Sequence, residues 1–214
     1  ASAEYSRMHS LLHLSSKFSY FLMLVMSVPV FIEAPVILKW WLSTVPDNTV
    51  VYLRIILVYS VFSTLTNPLW ISVLATGKLK RYQLYDNIVQ AAVLPVSYIA
   101  FKYFHAASYW VFLILLISEI IEIVIRAWIV LPLINHKYMV YIREVAVPLV
   151  LVSLTAPLIP FILSNNLVAN DVVRFFAVCI VSVLCSMLAI WVFGLRENER
   201  SYFTVMIKSK ILRK

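Results

Sequence analysis

Residues 50–83 read VVYLRIILVYSVFSTLTNPLWISVLATGKLKRYQ, and this stretch decides the fold. Residues 51–75 are almost unbroken apolar sequence, long enough to cross a hydrocarbon core as one helix. One charge, Arg54, lies just inside its start, and an Asn67-Pro68 pair interrupts its second half. The run stops at Thr76-Gly77, and Lys78, Lys80 and Arg81 follow. An apolar run with a basic stop is a membrane helix whose orientation the cations set.

Composition extends this reading to the whole chain. Of 214 residues, 63% are hydrophobic and 13% charged, against about 25% charged in soluble domains. The expected class is therefore an integral membrane protein. Two glycines, Gly77 and Gly194, exclude GxxxG helix packing and Gly-rich phosphate loops. Cys179 and Cys185 stand six apart in one apolar run, so they point to different helix faces and read as small packing residues. The chain opens ASAEYSRMHS without an initiator Met, which predicts a fragment of a longer protein.

Working outward, six spans are expected, at 18–38, 51–75, 82–104, 109–134, 145–163 and 172–195. They form an all-α polytopic bundle in a single domain over 1–214. Residues 1–17 read as a polar, basic leader. His9 and His13 share a helix face there, but no HExxH glutamate or third ligand accompanies them, so headgroup-level surface histidines are expected and no metal site. Lys39-Trp40-Trp41-Leu42 reads as an interfacial belt. The basic tail 196–214 reads equally as an amphipathic surface helix or as a solvated tail.

Orientation follows from the cations. Of 18 Lys and Arg, 13 fall in the segments that six spans leave on one side. Three (Lys39, Lys102, Arg174) fall on the other, and Arg54 and Arg126 lie inside spans. The positive-inside rule then puts both termini in the cytoplasm. The net charge of +8 is a consequence of topology, and nucleic acid is not needed to explain it. Short loops leave no room for a soluble catalytic domain, so no enzyme activity, catalytic residue or cofactor is expected.

Ionisable groups inside a span cost roughly 2.5–3.5 kcal/mol on insertion scales, so they face protein or water. Glu119, Glu122 and Arg126 lie on one stripe of the fourth span, with Glu122 and Arg126 spaced to pair. Glu119 is left without an obvious partner, as a candidate for protonation or ligand contact. The alternative is a purely structural ion-pair stripe. Glu33 and Arg54 lie at similar depth on the first two spans and are expected to pair. Otherwise Arg54 lines a cavity that meets an anionic substrate. Asp86, near the cytoplasmic edge, reads as interfacial. Asn67 and the frequent span prolines mark kinks of the sort a rocking transporter uses.

Residues 29–58 (PVFIEAPVILKWWLSTVPDNTVVYLRIILV) and 67–83 (NPLWISVLATGKLKRYQ) together resemble the C-terminal part of polysaccharide flippases. These belong to the multidrug/oligosaccharidyl-lipid/polysaccharide exporter superfamily, and the likeness is to Wzx-like O-antigen exporters. The shared features are a Pro and Glu in one span, an Ile-Leu-x-x-Trp-Leu step, a turn ending Val-Pro, and the Ala-Thr-Gly-Lys-x-Lys stop. The resemblance implies the last six of fourteen spans, with the N-terminal half of the transporter as missing partner. It implies a bacterial inner-membrane location and movement of an undecaprenyl-diphosphate-linked glycan to the outer leaflet for lipopolysaccharide or surface polysaccharide synthesis. Energy would come from a proton or Na⁺ gradient acting on a carboxylate such as Glu119, or from glycan flow alone. Rival expectations are a multidrug or cation antiporter of the same superfamily and a membrane-embedded glycan-modifying enzyme. A scaffold subunit is a third, and the charges of the fourth span speak against it. For an enzyme, His105 and His136 stand alone at span edges and supply no catalytic group.

Overall fold

The computed structural model describes residues 2–42, 44–167, 170–196 and 199–200, with residues 2–7 described by their backbone alone. The reading of the tail as a surface helix falls largely outside them. The described chain is all-α with no strand. Its helices are α1 (Ser2–Ile32), α2 (Ala34–Trp41), α3 (Thr49–Ser63), α4 (Thr66–Thr76), α5 (Leu79–Phe104) and α6 (Trp110–Leu133). Then come α7 (Tyr138–Tyr141), α8 (Val147–Thr155), α9 (Leu158–Asn166) and α10 (Asp171–Ala189). Two π-helical segments, Ile142–Ala146 and Ile190–Gly194, continue α7 and α10.

Five stretches are long and apolar enough to cross a bilayer: Met8–Ile32, Thr49–Thr76, Leu79–Phe104, Tyr138–Asn166 and Asp171–Gly194. They make this a multi-pass membrane protein. Its outer surface agrees, since Leu22, Met26, Leu94, Leu154, Ile159 and Ile180 are all exposed. The helix α6 is 24 residues long, but Glu119, Glu122 and Arg126 set it apart from these five.

The expected first span began too late. The helix runs from Ser2, and the polar residues taken for a leader are inside the protein: His13, Ser16 and Lys17 are buried. It also ends sooner, at a bend on Glu33, two residues before Pro35. The Asn67-Pro68 break occurs as expected. The helix parts at Thr64–Leu65, so Pro68 falls in the first turn of α4, where a missing N–H costs little.

The core lies around α1, which packs against α3 and α4 on one side and against α8, α9 and α10 on the other. Helix α6 packs against α3, α4 and α5. Helix α5 is at the edge and buries only Tyr82 and Ser97. In lipid, helices gain little hydrophobic energy by touching one another, so close packing and polar contacts decide which faces meet. Gly194 supplies one close approach: a Cβ there would lie 2.7 Å from the Phe21 ring. Gly77 ends α4 at φ +70, the left-handed cap that glycine adopts without penalty.

Candidate functional site

The charged stripe on α6 faces inward. Glu119, Glu122 and Arg126 are all buried, while Ile120 and Ile121 between them are exposed. The expected Glu122–Arg126 pair forms, Nη2 to Oε2 at 2.6 Å. Arg126 also reaches across to α5, where its Nε donates to Asp86 Oδ1 at 2.7 Å. Asp86, read as interfacial from its place in the chain, is thus a partner of the α6 stripe. One turn of α5 brings it opposite the α6 stripe. Glu119 is the loosest of the three acids. Its Oε1 lies 3.7 Å from Arg126 Nη1 and has no hydrogen-bond partner.

Three further groups complete the cluster. The Tyr82 ring stands 5.9 Å from the Arg126 guanidinium carbon, a cation–π distance. Gln90 of α5 faces Glu122, and Tyr59 of α3 faces Glu119. Sequence reasoning missed all three, yet a signal was present. Tyr82, Asp86 and Gln90 are spaced four apart, which places them on one stripe of α5.

The cluster is not balanced. Three carboxylates surround one guanidinium, so its formal charge is −2 when all ionise. Buried charge without a partner is costly, and the excess must be met by water, protons or a cation. Among the described residues no group of three or more His, Cys, Asp or Glu is placed to hold a metal ion.

The outer pair differs from expectation. Arg54 does not pair with Glu33. Its Nε donates to the Phe31 carbonyl at 3.1 Å, and its guanidinium stands over the Phe31 ring. The cause is Pro35, which has no N–H to give to the carbonyl four residues back. Glu33, 1% exposed, takes Arg174 of α10 instead, at 3.3 Å. The same device recurs on α6, where Pro132 leaves the Trp128 carbonyl free and the Tyr138 hydroxyl donates to it at 2.9 Å. Asn67 is exposed at the head of α4 and makes no bond to the Arg126 cluster.

The histidines also differ. His13 and His136 are both buried and bonded to each other, and His9 donates to the Ile134 carbonyl at 2.7 Å. They are neither surface residues nor isolated. A scan of protein-family models and searches of the curated proteins and of the solved structures find no match to this chain.

Proposed function

We propose that this chain is the six-span C-terminal part of an ion-coupled exporter of lipid-linked oligosaccharide, with α6 crossing as its fourth span beside the five apolar stretches. The observation that carries the reading is Arg126 held among Asp86, Glu119 and Glu122. A helix with three ionisable groups on its inward stripe is expensive in lipid unless those groups have a task. A buried cluster two charges short of neutral takes up protons or a small cation, and Glu119, with its free Oε1, is where uptake registers first. The net charge of the site shrinks with loading, which is what a gradient-driven transporter needs.

Two further features support the cargo and the orientation. A groove of about 1380 Å³ opens between α5 and α6, and Lys78, Lys80 and Arg81 line it together with Trp128 and Tyr138. Cations beside aromatic and apolar walls suit a diphosphate joined to a lipid chain. The positive-inside rule favours this end, and both termini, on the cytoplasmic side, and the resemblance to O-antigen exporters implies a bacterial inner membrane. No catalytic role is assigned to any residue.

The carboxylate excess also favours a second reading, an antiporter for amphiphilic cations, in which the cluster binds cargo directly. The deciding experiment measures outer-leaflet lipid-linked glycan in cells with the wild-type protein and with Glu119→Gln. The flippase reading expects glycan exposure that needs Glu119. Unchanged exposure without the protein, together with loss of resistance to lipophilic cations, selects the antiporter.

A further inference from the structure

At the end of the bundle where α1 begins, four hydrogen-bonding groups stand in a row. Glu144 Oε2 lies 2.8 Å from His13 Nδ1. His13 Nε2 lies 2.8 Å from His136 Nε2. His136 Nδ1 lies 3.0 Å from the Lys137 carbonyl oxygen. Three contacts in series need three protons, because each bond holds one. The carbonyl supplies none. An ionised Glu144 and two neutral imidazoles supply two. The row is therefore complete only with a third proton, whether that proton rests on a nitrogen or on the carboxyl. A fourth would set N–H against N–H between the two rings.

We propose that His13, His136 and Glu144 form a proton-binding site, whose one shared proton ties α1 to the turn after α6 and to the π-helical segment Ile142–Ala146. The inference is independent of the transport reading, since it concerns different residues at a different place.

The surroundings bear on it. Facing the pair are His9 and Lys17 from α1, Tyr141 and Glu144 from the apolar stretch Tyr138–Asn166, and the Lys137 backbone. Arg196 closes the far side of Glu144, Nη1 to Oε1 at 2.7 Å. Lys17 is itself engaged, by Glu199 at 2.5 Å and by the Gly194 carbonyl at 3.3 Å. Glu144 is thus the one acid bonded to the histidine pair among the described residues. Both π-helical segments feed this end: one carries Glu144, and the other closes at Gly194. Such segments are rare and concentrate at functional positions.

When the third proton leaves, the remaining two stay with the better acceptors, the carboxylate and the carbonyl. The His13 and His136 Nε2 lone pairs then face each other at bonding distance, and that contact parts. Burial holds the His136 imidazole below its ordinary value, with the Lys137 carbonyl pushing the other way. Release therefore falls on the acid side of neutral.

The test is imidazole nitrogen NMR on the histidine-labelled chain in lipid nanodiscs, titrated from about pH 5 to pH 8. The chain has four histidines, so single His→Gln variants assign every signal. The expected result is one proton lost from the His13–His136 pair in a single coupled step. His136→Gln should move the His13 midpoint by about one unit or more, as coupled sites do. Glu144→Gln, which keeps the shape and removes the charge, should lower the pair's midpoint by about one unit. Two independent titrations, or a pair that stays neutral throughout, would overturn the proposal. The wild-type titration decides this alone if a variant fails to fold.

Discussion

Arg54 donates its Nε–H to the carbonyl of Phe31 at 3.1 Å, and that carbonyl is free because Pro35 follows it by four residues. A span proline and a span arginine on different helices are thus one structural unit. In hydrocarbon no water replaces a lost helix bond, so a side chain from the neighbouring helix does. The charge of Arg54 is spent on backbone repair and on the Phe31 ring, and it is not offered to a carboxylate.

Arg54→Ala should therefore destabilise the chain by about 1.5–3 kcal/mol, the range for a charged hydrogen bond. Pro35→Ala restores the missing N–H, so Arg54→Ala in that background should cost less than half as much. Reversible unfolding in mixed micelles reads both numbers. Equal costs in the two backgrounds would separate Arg54 from Pro35.

In the Arg126 cluster, the sign of the imbalance sets the order of effects. Arg126→Gln leaves two buried carboxylates and the half-buried Asp86 with no cation and should cost about 3–5 kcal/mol. Glu119→Gln removes one of two excess charges and should leave folded yield near wild type. Glu122→Gln breaks the 2.6 Å pair but leaves Asp86 on Arg126, and should fall between. Folded yield by size-exclusion fluorescence orders the three. A Glu119→Gln protein that folds worse than Arg126→Gln would mean the cluster is not carboxylate-rich in the membrane.

Much of this was legible in the sequence, and the misses share a cause. The α6 stripe and the break before Pro68 follow from periodicity and proline chemistry, which are local. Asp86 was placed by counting from a span end, and depth says nothing about which helix lies opposite. His13 and Lys17 sit among serines, and a polar stretch reads as solvated unless its partners are known. Those partners, His136, Glu144 and Glu199, come more than 120 residues later. The Arg54–Phe31 bond was readable in principle, because Pro35 announces a free carbonyl at Phe31. An ion pair with Glu33 was the simpler inference, and it took charge over backbone satisfaction.

The six-span arrangement is tested by the two ends of α6. With Cys179 and Cys185 replaced by alanine, a cysteine at Ser108 should label from outside, as should one at Thr44. Cysteines at Asn135 and Lys78 should label only after the membrane is opened. Ser108 and Asn135 labelling from the same side would make α6 a re-entrant or surface helix and leave five spans.

Gly194 has room for no side chain while Phe21 keeps its place. Gly194→Ala puts a methyl 2.7 Å from a ring that is 2% exposed, and overpacking of this sort costs about 1–3 kcal/mol. Phe21→Leu withdraws the ring edge, so the double variant should be more stable than the sum of the two single losses predicts. Thermal unfolding of the four proteins measures the coupling. Strict additivity would mean the ring moves aside without cost.

The last prediction separates the two outer cations. Glu33 is almost fully buried, Arg174 is its ionic partner at 3.3 Å, and its Oε1 has no hydrogen bond. Arg174→Gln leaves that carboxylate buried without a cation and should cost about 3 kcal/mol. Glu33→Gln with Arg174→Gln removes both charges together and should recover most of the loss, because no buried ion is then stranded. Arg54 stands outside this account, being engaged with Phe31. Glu33→Gln and Arg54→Gln should then add within about 0.5 kcal/mol, as unlinked sites do. A coupling between Glu33 and Arg54 larger than that between Glu33 and Arg174 would restore the pairing first expected from span depth. It would also make the Phe31 contact secondary.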